Sequence, residues 1–79
     1  MRQKYIIFDN ELIVYIIVFP DCLQHQNIAL LFGDYNKPIS AGFISLRDNK
    51  AQCYGESVSL KLKSRPEDSK LAQRQLFTE

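Results

Sequence analysis

Cys22 and His25 stand three residues apart and form the one pair in this chain that could share a nucleophile or a metal ion. On a helix that spacing brings both to one side. A thiolate beside an imidazole would make a Cys-His dyad, and Cys53 would raise the set to three zinc ligands. Zinc signatures, however, come as paired Cys or His doublets, and here a single imperfect doublet contains the chain's sole histidine. A lone histidine between Gln24 and Gln26 in a short helix is read first as a core residue with its hydrogen bonds satisfied. No metal, no cofactor and no catalytic residue is therefore expected.

Other chemistry is equally sparse. Gly33, Gly42 and Gly55 each stand alone, so no glycine-rich phosphate loop is present, and no Gly-x-Ser-x-Gly elbow appears. The adjacent acids Glu67 and Asp68 are explained by the first turn of a helix. Charge is the better clue. Residues 1–36 carry two cations against four acids, whereas residues 37–65 carry six against two. Lys61, Lys63 and Arg65 recur at every second position, so an extended strand would point them one way, toward an anionic backbone or simply into water as guards of a strand edge. The edge-guard reading is favoured. Tyr54 nearby offers one ring on which a base could stack, and one ring is not a platform.

These residues need a scaffold, and 79 residues allow one domain, residues 1–79. A domain this small buries only about 60% of its unfolded surface, which makes a staple or an interface valuable. The apolar fraction of 46% is that of a globular core, and a formal net charge of +1 lacks the basic footprint of a typical nucleic-acid binder and leaves little repulsion against self-association. Asp9, Asn10 and Glu11 interrupt the apolar N-terminal region and no small-residue cleavage site follows, so a secretory signal is not expected. A bilayer span needs roughly 20 apolar residues. The longest run here is eight, from Leu12 to Phe19. A cytoplasmic protein without a membrane segment, with both cysteines reduced, is the expectation.

The run Leu12 to Phe19 reads as a strand dry on both faces, the centre of a small sheet. Lys4 to Phe8 forms a strand before it, and Asp9 to Glu11 the turn between them. After Pro20 the period changes, and Leu23, Ile28, Leu31 and Phe32 can share a helical face, with Asp21 as N-cap and Gly33 at the C-terminal end. Ile39 to Leu46 is a strand whose Gly42 marks a bulge or a close backbone approach. Residues 47–50 make a turn, and Ala51 to Tyr54 pair back. Beyond a bend at Gly55, the alternation of Val58, Leu60 and Leu62 with Ser57, Ser59, Lys61 and Lys63 describes a strand with one wet face or an extended arm. Ser64, Pro66 and Glu67 start a final helix. The order β-β-α-β-β-(β)-α predicts a small two-layer α+β domain, an antiparallel sheet of four to five strands with two helices on one face.

The segments Pro38 to Phe43, Tyr54 to Leu60 and Lys63 to Ser69, with the strand pair opening at Lys4 and the Phe19-Pro20-Asp21 step, resemble small phage- and prophage-encoded proteins of accessory or anti-defence type. That group carries no assigned activity. The resemblance implies a protein that binds and blocks or redirects a host macromolecule. Val14 to Ile17 lengthen the second strand relative to that group, which leaves the hairpin register open.

The reading that follows is a non-catalytic module acting by protein binding, as a homodimer through Val14, Ile16 and Val18. Tyr54, Ser57, Lys61, Lys63 and Arg65 form the expected recognition surface for a host or phage protein. The alternative is a nucleic-acid-binding accessory protein using the basic region 47–65, with Arg47 and Lys50 added.

Overall fold

The computed structural model describes residues 2–77. Strands β1 (Gln3–Asp9), β2 (Val14–Pro20), β3 (Lys37–Arg47) and β4 (Lys50–Tyr54) make an antiparallel sheet in the order β2-β1-β3-β4. Helix α1 (His25–Phe32) connects β2 to β3. A two-stranded ribbon, β5 (Glu56–Ser57) with β6 (Leu62–Lys63), follows β4, and helix α2 (Asp68–Leu76) ends the described chain. The α+β class and the antiparallel sheet are those expected. Among the described residues no helix is long and apolar enough to cross a membrane.

The inner strands are β1 and β3, not the long apolar run. Tyr5, Ile6, Ile7 and Phe8 are all fully buried, while β2 lies at the sheet edge. The Asn10 side chain accepts the N–H groups of Leu12 and Ile13, at 3.1 and 3.0 Å, and Glu11 takes a left-handed conformation. That turn consumes the first two residues of the run, leaving Leu12 81% and Ile13 54% exposed. An apolar run reports covered faces and is silent about neighbours: β2 is packed from both sides yet has one hydrogen-bonding edge outside.

Alternation along β1 divides the core. Tyr5 and Ile7, with Ile16, Ile44 and Val18, lie under Leu71 and Ala72 of α2. Ile6 and Phe8, with Phe19 and Ala41, lie under Ile28, Ala29 and Phe32 of α1 and under Leu60 and Leu62 of the ribbon. The helices thus occupy opposite faces rather than one, because β1 is apolar on both. Ile16 and Val18, expected at a dimer interface, are spent on this chain's own core, and only Val14 remains partly outside. Helix α1 also starts later than the pattern suggested. Asp21 pairs with Arg2 and Lys4 instead of capping, and Leu23 and Leu31 turn to solvent while His25, Ile28, Ala29 and Phe32 face inward.

Helix α2 does more than cover a face. The Gln75 side chain donates to the Val14 carbonyl at 2.8 Å and accepts the Ile16 N–H at 3.0 Å. Gln73 does the same on β4, with the Asn49 carbonyl at 2.7 Å and the Ala51 N–H at 2.8 Å, and Ser69 accepts the Cys53 N–H. Each glutamine amide thus bonds the carbonyl of one residue and the N–H two residues on, as one residue of a parallel neighbour would. Both outer strands are thereby occupied where a foreign strand would pair. Gln75→Ala is expected to cost about 1 kcal/mol and to speed amide exchange at Ile16 while Tyr5 to Phe8 stay slow. Hydrogen exchange read by NMR checks this, with Gln73→Ala and Ala51 as the matching pair.

Candidate functional site

The three residues with chemical potential do not meet. His25 is 4% exposed, with its Nε2 2.9 Å from the Gly42 carbonyl and its ring edge-on to Phe19 and Phe43. Burial lowers its pKa below the ordinary 6.5, with Lys4 adding to that and the Gly42 carbonyl and Asp21 opposing it. Burial thus favours the uncharged ring, and Nε2 donates its proton to the Gly42 carbonyl, which can only accept. Cys53 lies on the other face, beneath α2, where burial and then the Asp68 carboxylate push its thiol up to about 11. Cys22 is exposed. Among the described residues no cluster of three His, Cys, Asp or Glu side chains is spaced to hold a metal ion.

Because the folded state binds the His25 proton less tightly than the unfolded chain does, stability is fully present above pH 6.5 and falls as pH drops below it. The loss has a slope of up to about 1.4 kcal/mol per pH unit until the folded pKa is passed. Urea denaturation between pH 7.5 and 5 checks this, with a flatter profile expected for His25→Gln.

The segment expected to recognise a partner folds back on itself, Glu56 pairing with Lys63 and Ser57 with Leu62. Tyr54 is half-exposed, its ring stacked on Phe43 at 5.9 Å. Ser57 is buried and accepts the Leu60 N–H at 3.2 Å. That bond, with the Lys61 N–H on the Val58 carbonyl, folds residues 57–61 into a turn with Lys61 at φ 57°. The alternating run is therefore not one strand, since a serine hydroxyl that bonds locally competes with the ladder. Turning also brings Leu60 and Leu62 together into the core. Lys61, on the turn, and Lys63, on β6, are exposed, but the common direction expected for Lys61, Lys63 and Arg65 is lost. Arg47 and Lys50 sit at the far end of the β3–β4 hairpin, one strand length from Tyr54.

Arg65 is part of the scaffold. Its Nε donates to Asp68 Oδ1 at 2.9 Å and its backbone N–H to Oδ2 at 2.9 Å. Asp68 is fully buried and also receives the Tyr5 hydroxyl at 2.6 Å. Burial and that hydrogen bond raise the Tyr5 pKa far above its usual 10. Asp68, one residue after the expected Glu67, is thus the acid that reaches back over the start of the last helix. Elsewhere an open cleft of about 600 Å³ is walled by Lys4, His25, Phe43 and residues 55–59. Lys4 is already engaged by the Leu23 carbonyl and Asp21.

Sequence reasoning missed a different surface. Asn36 accepts from Asn10 and Tyr15, which ties the β1–β2 turn to the loop after α1. Gln75 ties the end of α2 to Val14. One end of the molecule therefore gathers the β1–β2 turn, with Leu12 and Ile13, and the end of α1 with its following loop, bearing Leu30, Leu31 and Tyr35. Leu12, Leu30 and Leu31 are 81%, 72% and 80% exposed. The available signal was the adjacent pair Leu30-Leu31, of which a helix packed on one face can bury only one well.

Comparison with known protein families, with curated proteins and with solved structures gives no match in any of the three.

Proposed function

We propose that the protein is a non-catalytic interaction module that forms a homodimer through the apolar end built by the β1–β2 turn and the end of α1. The observation that carries this reading is the exposure of Leu12, Leu30 and Leu31 on elements held together by Asn36. Apolar side chains gathered on a surface mark interaction sites far more than single ones do. The near-neutral net charge of +1 leaves little to oppose two copies meeting. Pairing through the β2 edge is the less favourable route, since Gln75 already occupies Val14 and Ile16.

The resemblance to phage- and prophage-encoded accessory proteins extends this reading to a cytoplasmic dimer that blocks or redirects a host or defence factor. Dilution tests the interface. Amides of residues 10–13 and 30–35 should exchange faster at low micromolar concentration than at high, while those of the β3–β4 hairpin stay unchanged. Uniform exchange at all concentrations would count against the interface.

A further inference from the structure

The β3–β4 hairpin presents three cross-strand rungs on the side of the sheet facing α1: Phe43 opposite Tyr54, Ser45 opposite Gln52, and Arg47 opposite Lys50. Tyr54, Gln52, Arg47 and Lys50 are exposed. At one end the Phe43 and Tyr54 rings stack with an interplanar angle of 26°, and the Arg2 guanidinium lies 4.2 Å over Phe43. The β1–β3 ladder stops at Gln3 and Ile44, so β3 runs on through residues 45–47 with no described β1 residue opposite. There a groove of about 410 Å³ opens, with Arg2, Ser45, Arg47 and Tyr54 among its walls. Among the described residues no carboxylate lines it and no ion pair ties Arg47.

We propose that this groove binds a nucleotide unit of single-stranded nucleic acid, with the base on the open face of Tyr54 and the phosphate between Arg2 and Arg47. Two chemistries coincide here: stacking needs a half-exposed ring held rigid from behind, which Phe43 supplies, and the phosphate needs a cation not already paired, which is Arg47, with Arg2 shared with Asp21 at 3.4 Å. Lys50, opposite Arg47, stands four residues along the hairpin from the aromatic rung, about 13 Å, which lets a strand running over Tyr54 place a further phosphate on it. An acidic peptide would use the arginines but leave the tyrosine face idle. A free mononucleotide would use both but not Lys50.

Fluorescence anisotropy of a labelled twelve-residue oligothymidylate at low ionic strength tests the proposal. Saturable binding is expected, weakened about tenfold by Tyr54→Leu and by Arg47→Gln, the latter also lowering the salt slope by about one. Lys61→Gln with Lys63→Gln should leave affinity unchanged, and far-UV circular dichroism identifies any variant that has lost its fold. Displacement by adenosine monophosphate at micromolar concentration would support the groove while assigning it to a free nucleotide. Displacement by polyglutamate as effective as by unlabelled oligonucleotide would overturn the proposal. So would an affinity indifferent to both groove variants, or the absence of binding.

Discussion

Gly42→Ala is expected to cost at least about 3 kcal/mol, a large part of the roughly 4–12 kcal/mol available to a domain of this length. Chain reversal after β4 is the reason. At Gly55, with φ +78°, the backbone bends away from the sheet toward the ribbon, and it passes so close to β3 that a Cβ on Gly42 would stand 2.5 Å from the Tyr54 carbonyl oxygen. The Gly55 carbonyl group would be 3.2 Å away. Backbone cannot yield as a flexible side chain does, so β4 and the ribbon would have to move together. The Gly42 carbonyl also holds His25, so the shift would reach α1. Gly33→Ala provides the comparison: with φ +75° and ψ 176° it holds a backbone conformation that is nearly glycine-only, but it has open space around it, and the strain alone should cost about 1–3 kcal/mol. Urea denaturation of the two variants separates steric exclusion from backbone strain.

Asp68→Ala is expected to destabilise by about 3 kcal/mol, because it leaves the buried Tyr5 hydroxyl and the Arg65 backbone N–H without an acceptor. Arg65→Glu should be comparably damaging, since it would set a second carboxylate against one that is fully buried. Lys61→Glu, on an exposed turn, should stay within about 0.5 kcal/mol of the wild type. Denaturation midpoints of the three variants test this ordering. Arg65 and Lys61 share a charge and a short stretch of sequence, but only Arg65 is mortised into the fold.

Local signals were the legible part of this chain. Asp48 and Asn49 turn with φ 54° and 61°, the left-handed pair of a two-residue hairpin, where the polar residues 47–50 indicated it. The satisfied, buried state of His25 followed from its being alone, and the close backbone approach at Gly42 from a glycine inside a strand. What depended on neighbours was not legible. Nothing in Leu12 to Phe19 says that β3 returns beside β1 rather than β2. Nothing in Gln73 and Gln75, which look like solvated helix positions, says that they bond both edges of a sheet. The candidate sites suffered most, because Arg2, Phe43 and Tyr54 are distant in sequence and meet only through strand pairing, and the Asn36 contacts that tie the β1–β2 turn to the loop after α1 are tertiary.

Size-exclusion chromatography with multi-angle light scattering, run on the wild type and on Leu12→Asp with Leu31→Asp, tests the proposed interface most directly. At tens of micromolar the wild type should show twice the chain mass of 9.2 kDa, and the variant, still folded by circular dichroism, should fall to the single-chain mass. A wild type that elutes as a clean monomer at that concentration, or a variant that remains dimeric, would contradict dimerisation through this apolar end.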